Sequence, residues 1–385
     1  MSRWPVLPLK GHIHEVSLRK GDTPCEVLSV TNSDGFVRSL DVFDKQVFSQ
    51  DTTNYKLVRF NDLAYNPSRI NVGSVARCQF PGGGAVSPMY VVVRCRESLM
   101  PQYLLHFLKS DIGKQHINHL CVGAVRFQLR FSDLEQIEMP IPLRSDQERI
   151  VRVLDEADQL RRLRVEADRR TADLIPALFH EMFGDLTANP VQPLSNVSEV
   201  VSGIAKGRQL NGRTTVIVPY LRVANVQAGY LDLSEIKTIE ALPSEVEYLA
   251  LRRDDVLLTE GGDFDKLGRG ALWEHDLEDC IHQNHIFRVR PTKGVLDSVF
   301  FTAYLQSPKA RDYFLRCAKR TTNLASINMT QLRNLPVPIP HIGRQSVFTA
   351  CVAEVRAMEA EQTKGRHWLD DLFQSLLYRA FQGEL

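Results

Sequence analysis

The chain has no long apolar run, no CxxC pair and no real excess of either charge, and each absence closes off a class of function. No stretch approaches the ~20 apolar residues that a membrane-spanning helix needs. The opening M-S-R-W-P-V-L-P-L-K carries no apolar core of a secretory leader, so a cytoplasmic protein is expected. The seven cysteines (Cys25, Cys78, Cys95, Cys121, Cys280, Cys317, Cys351) are scattered and odd in number. That is the pattern of reduced thiols, not of a disulfide framework. With 47 Lys+Arg against 46 Asp+Glu the net charge is +1, so any nucleic-acid binding must come from local basic patches. A length of 385 residues exceeds one hydrophobic core and implies two or three domains.

Catalytic signatures are missing too. Y-N-P-S-R (65–69) is the nearest approach to a methyltransferase N/D-P-P-aromatic motif, but it lacks the second proline and the aromatic. P-G-G-G-A-V-S (81–87) has no following G-K-[ST] and reads as a turn, not a phosphate loop. Cys280, His282 and His285 sit together without the further ligands a zinc site needs, so no metal is expected. Asp263, Asp265 and Lys266 do not define a nuclease centre, and no nucleophile-and-base pair stands out. The chain reads as non-catalytic.

What the sequence does contain is a repeat. Setting residues 131–183 against 329–381, a shift of 198 without a gap, gives identities at Leu134/Leu332, Pro140/Pro338, Ile141/Ile339, Pro142/Pro340, Gln147/Gln345, Glu156/Glu354, Asp173/Asp371, Leu174/Leu372, Leu178/Leu376 and Phe183/Phe381. The apolar periodicity repeats in the same register. Ile150, Val153, Ala157, Leu160, Ala167, Leu174 and Leu178 fall on three- and four-residue steps, as do Phe348, Cys351, Val355, Met358, Leu369, Leu372 and Leu376. Such a stripe predicts two long helices packed along their lengths, with these side chains in the shared core. Ser145 and Glu148 form a capping-box pattern at the first helix start, where Gly343 is the weaker counterpart. Pro176 should kink the first helix.

The segments before the helices repeat more loosely. P-V-L-P-L (5–9) parallels P-V-Q-P-L (190–194), Asn61-Asp62-Leu63 parallels Asp254-Asp255-Val256, and 72–76 parallels 267–271. Tyr103–Ser110 parallels Phe300–Ser307 as a short helix, and 28–37 parallels 221–231 as strand, Asn and Gly turn. The expected architecture is α/β (α+β): a globular part (1–143), a long helix (144–186), a second globular part (187–341, entered through the 187–193 linker) and a second long helix (342–385).

Side chains able to read base edges or neutralise phosphate cluster in the loops of both globular parts. In the first they are Asn66, Arg69, Asn71, Arg77, Arg126, Gln128 and Arg130. In the second they are Lys206, Arg208, Arg213, Arg222, Asn225, Lys266, Arg269, Gln283, Asn284, Lys319, Arg320, Thr322 and Asn323. K-R-T-T-N (319–323) and V-R-F-Q-L-R (125–130) occupy equivalent places before the last strand of each half.

The tandem layout, with P-I-P-L-x-x-x-Q-E-R-I-V-R-V-L-D-E-A-D from Pro140 and L-F-x-E-M-F-G-D ending at Asp185, resembles the specificity (S) subunit of bacterial type I restriction-modification enzymes. N-P-S-R-I-N-V-G (66–73) and L-R-V-A-N (221–225) extend the likeness into the globular parts. The resemblance implies two target recognition domains, each reading half of a bipartite, asymmetric site in double-stranded DNA. It also implies an antiparallel coiled coil of the two helices that sets the spacer and docks two methyltransferase (M) subunits, with restriction (R) subunits joining through them. Cofactors would then lie outside this chain: S-adenosylmethionine in M, ATP and Mg in R. The competing expectation is a coiled-coil scaffold that binds no nucleic acid. A free-standing methyltransferase is disfavoured by its missing motifs.

Overall fold

The computed structural model describes residues 4–32, 35–42, 49–120, 127–210, 212–262, 267–320 and 325–385, with only the backbone of Val42 and Arg320. The chain forms two compact units, residues 1–166 with 363–385, and residues 167–362. The divisions fall inside the long helices, so each globular part is grouped with the first part of the helix that follows it and the last part of the other.

In the first unit, Val6–Pro8 pairs antiparallel with Glu138–Pro140, Val6 opposite Pro140. A four-stranded antiparallel sheet follows in the order Ile13–Glu15, Val91–Cys95, Leu63–Tyr65, Val75–Arg77. Its central strand, V-V-V-R-C, is a β-branched run that suits a pleated, covered surface. The Pro101–Lys109 helix opens on a proline, where the missing N–H has no partner to lose. The second unit repeats this plan. Val191–Pro193 pairs with Pro336–Pro338, Val191 opposite Pro338. The matching sheet runs Ser198–Ser202, Ile286–Pro291, Val256–Thr259, Gly270–Leu272. Ser298–Leu305 is the equivalent helix.

The repeat extends to buried polar chemistry. Asn61 and Asp254 both turn the chain with left-handed φ (72° and 74°) into the second sheet strand. Asp62 and Asp255, 1% and 0% exposed, each take two bonds from one arginine. Arg94 donates to Asp62 at 2.7 and 2.8 Å, and Arg290 to Asp255 at the same distances. Gln147 and Gln345, both fully buried, knot each helix start to its globular part. Gln147 Nε2 donates to the Ser98 and Pro142 carbonyls while its Oε1 accepts the Met100 N–H. Gln345 does the same with Val295, Pro340 and Asp297. One loose parallel fails: 28–37 is a hairpin around Leu28–Thr31 and Gly35–Arg38, whereas the chain leaves its strand at Leu221 into a 3-10 turn at Val223–Asn225.

The helices are Arg144–Ala172, Leu174–Phe183 and Ile342–Gln382. Pro176 has no N–H to give Ala172, and the regular helix is interrupted for one residue at Asp173, whose φ of −80° and ψ of −12° stay right-handed helical. Ser145 is not the cap: the first turn closes on the Leu143 carbonyl, which accepts from Asp146 and Gln147. In the second helix His341 takes that position, its Nδ1 accepting the Gly343 N–H at 3.2 Å.

Within each unit the segments that share a core run in opposite directions. In the first, Arg149 reaches the Leu385 carbonyl at 2.7 Å, and Arg161 bonds Asp370 at 2.7 Å while stacking over Phe373. In the second, Gln362 donates to Thr171 at 2.9 Å and Arg344 bonds the Met182 carbonyl. The repeated phenylalanines close these cores. Phe381 lies 5.3 and 5.2 Å from Tyr103 and Phe107; Phe183 lies 4.8 and 5.6 Å from Phe300 and Phe348.

The expected apolar stripe needs correction. Ile150, Ala157, Phe348 and Val355 are buried, and Val153, Leu178, Leu369, Leu372 and Leu376 are half-buried. Leu160, Leu174 and Met358, however, are 52%, 43% and 47% exposed. The buried positions include Ile150, Leu154 and Ala157 on the first helix, Phe348, Val352 and Val355 early in the last, and Phe373, Leu377 and Ala380 late in it. A one-residue change of phase rotates a helix face by about 100°, and that carries the three leucine and methionine side chains outward.

Candidate nucleic-acid interface

Several of the polar side chains that spacing offered as base readers are occupied in holding the backbone. Asn66 is buried and its carbonyl oxygen accepts the Ser68 N–H at 3.0 Å. Asn225, 3% exposed, accepts from Arg222 N–H at 2.8 Å and donates to the Asp232 and Glu235 carbonyls at 2.7 and 3.0 Å. Arg222 is tied to Glu235 at 2.9 Å. Arg208 is paired with Glu245 and also reaches the Glu240 carbonyl. These four therefore have structural work, and Asn225 has both ends of its amide committed. Residue type alone could not separate a turn-holding Asn from a base-reading one.

A second set remains on the surface. Arg69, Gln128 and Arg130 of the first unit, and Lys206, Arg213 and Lys319 of the second, are exposed; Asn71, Gln283 and Asn284 are half-buried. Arg269 is half-buried and donates to Gln227 Oε1 at 2.9 Å. Arg126, Lys266, Thr322, Asn323 and the side chain of Arg320 lie outside the described residues.

A concave feature lies wholly in the first unit, a cleft of about 860 Å³. One wall is the loop bearing Asn71 and Gly73, which turns at φ 93°. A second is the Pro101–Lys109 helix with Gln102, His106 and Lys109. The third comprises Asp158, Arg161, Arg162 and Arg164 of one long helix with Arg366 and Asp370 of the other. Arg77 stands at the back, donating to Gln102 Oε1 at 2.5 Å and to Asn61 Oδ1 at 2.7 Å. Gln102 and His106 both bond Asp155 Oδ1 at 2.8 Å. Burial works to raise the Asp155 pKa, but the bonds from His106 and Gln102 and the nearby Arg77 outweigh it and hold the carboxyl below the usual range. Burial lowers the Lys109 ammonium, with Asp158 opposing and Arg162 adding to the effect. The arrangement collects cations. The helical arginines were legible as R-R-L-R (161–164), which periodicity assigns to a solvated helix face.

Cys280, His282 and His285 do not form a metal site. Among the described residues no group of three potential ligands comes together. His282 is fully buried and its Nδ1–H donates to the Ile286 carbonyl at 3.0 Å; His285 instead faces Glu260. Desolvation drives the His282 pKa down to about 4. The unfolded chain, titrating near 6.5, then binds the proton that the folded chain refuses. Stability is therefore complete above pH 6.5 and is lost as pH falls towards 4, by about 2 kcal/mol at pH 5. Urea unfolding at pH 7.5 and 5.0 should show that loss, and His282→Leu should flatten it.

No helix among the described residues is long and apolar enough to cross a membrane. No family model matches the chain. The type I restriction enzyme EcoKI specificity subunit of Escherichia coli (strain K12) is 23% identical over 342 residues, covering 83% of this chain and 73% of that protein. A solved structure described as the structural basis of complex assembly and conformational transition of the type I R-M system superposes with a TM-score of 0.63 at 17% identity, covering 99% of this chain and 98% of that one. The type I restriction-modification S subunit from M. genitalium gives a TM-score of 0.55 at 14% identity over 99% and 96% of the two chains. In sequence over most of its length, and in fold over nearly all of it, the protein resembles the specificity subunits of type I restriction enzymes.

Proposed function

We propose that this chain is the DNA-specificity subunit of a type I restriction-modification enzyme, working in the cytoplasm without catalysis of its own. Each globular part would read one half of a bipartite, asymmetric site in double-stranded DNA. The opposed helix segments would form one antiparallel coiled coil, fixing the unread spacer and docking two M subunits that bring S-adenosylmethionine for adenine methylation. R subunits, with ATP and Mg, would join through M. The observation that carries this reading is repetition of the frame with divergence of the loops. Gln147/Gln345 and Asp62/Asp255 hold the same bonds in both units, while the 28–37 hairpin of one and the Val223–Asn225 turn of the other differ in form. A pair of readers on one scaffold needs that combination, because each must be held alike yet recognise different bases.

Retention of a random-sequence duplex at low salt, weakening steeply as salt rises, is the expected result of a titration with the full chain. If no salt-dependent retention appears, with or without an M subunit, the protein is a scaffold and not a DNA reader.

A further inference from the structure

We propose that the cleft of the first unit grips the sugar-phosphate backbone of duplex DNA without reading its bases. The proposal rests on the DNA-binding reading above and adds residues that no motif in the sequence singles out. Seven cations and two carboxylates, Asp158 and Asp370, line the cleft, in a chain whose net charge is +1; just outside the lining, Asp111 pairs with Lys114 at 3.5 Å and Asp155 lies near Arg77. Asp158 is already shared between Arg161 at 3.4 Å and Arg162 at 2.9 Å, and Asp370 is taken by Arg161. Both lining acids are thus already engaged, and cations outnumber them along the cleft wall.

Lys109 shows the imbalance most clearly. It ends the Pro101–Lys109 helix partly withdrawn from water, and its nearest charges are Asp158 and the competing Arg162. A phosphate oxygen in the cleft would supply the missing counter-charge. The groups come from three separate elements: Lys109 and Lys114 from the two short helices, Arg161 to Arg164 from one long helix and Arg366 from the other. Arg161 and Arg162 follow Asp158 by three and four residues, so one helical face carries them into the cleft. Cations on rigid helices position a backbone but carry no sequence information, whereas loops such as the one bearing Asn71 can vary without disturbing them. The cleft thus supplies the sequence-independent part of binding, and the exposed loop residues the selective part.

The test is a salt series on the full chain with a random-sequence duplex. Lys109→Gln, Lys114→Gln and Arg162→Gln are combined in one variant, since none of the three side chains lies in the hydrophobic core. A matched variant removes the same charge elsewhere, at Lys10, Arg96 and Lys293, which do not line the cleft. The cleft variant should lose at least about tenfold in affinity, with the slope of log K against log salt reduced by about 2.7, at 0.9 per lost contact. The matched variant should keep the parental slope. Equal loss in both would mean a diffuse field and would overturn the proposal, as would parental binding by a cleft variant with unchanged circular dichroism. If the triple variant does not fold, Arg162→Gln alone, 73% exposed at its side chain, should lower the slope by about 0.9. Failure of the parental chain to bind any duplex would instead overturn the DNA-binding reading itself, and the cleft with it.

Discussion

Asp255→Ala is expected to cost the second unit about 3–5 kcal/mol, because it leaves the Arg290 guanidinium in a half-buried site without its partner. Asp255 is fully buried. It accepts Arg290 Nε at 2.7 Å and an Arg290 terminal nitrogen at 2.8 Å, and it also takes the Arg252 N–H at 2.7 Å. Glu199, 3.7 Å away and half-exposed, and the Ala250 carbonyl at 3.3 Å are left to face Arg290 in the variant. Removing both partners should be milder, since Asp255→Leu with Arg290→Met buries no orphaned charge. Urea unfolding of the single and double variants checks the argument. A single-variant loss below about 1 kcal/mol would show the pair to be incidental, in the range of an exposed bridge. The same substitution at Asp62 should act on the first unit, because Arg94 makes the same two-pronged contact there.

Gln345→Ala is the second large effect, at about 3 kcal/mol. The side chain is fully buried and satisfies three backbone groups, the Val295 and Pro340 carbonyls and the Asp297 N–H. Each buried group left without a partner costs about 1–3 kcal/mol, and entry of water recovers part of the sum. Gln345→Glu should be nearly as harmful, since a carboxylate cannot donate to two carbonyls. Gln345→Leu keeps the volume and loses every bond, so a variant as stable as the parent would show that packing alone fixes the helix start. The Gln147 variants should behave alike, with Ser98, Pro142 and Met100 as the groups exposed.

These two residues also show what the sequence made legible. Gln147/Gln345 is visible as an identity at a shift of 198, and Asp62/Asp255 as part of a loose parallel. Neither could be assigned its chemistry until the bonding partners, 47 to 50 residues away for the glutamines, were in place. The repeat itself was readable because backbone geometry demands it: P-x-P strands before each helix, a left-handed turn before each buried Asp, an aromatic at each helix end. The core stripe was readable only to within one residue. Leucines at 160 and 174 fit a heptad as well as Leu154 does, and tertiary packing decides among them. The loop residues were the least legible. Asn66 and Asn225 carry the same groups whether they hold a turn or read adenine, and only the folded chain shows each bonding its own loop. The basic cleft needed three elements brought together from positions 109, 161 and 366, which no local pattern announces.

The central claim, that one chain addresses a split DNA site, is tested most directly by mapping methylated adenines in the host genome with and without this chain. The account predicts a two-part motif with a fixed spacer that is methylated when the chain is present and unmethylated after its deletion. Exchanging residues 187–341 for those of a divergent relative should change one half of the motif and leave the other. A methylation pattern that survives deletion unchanged, or a motif without a spacer, would contradict it.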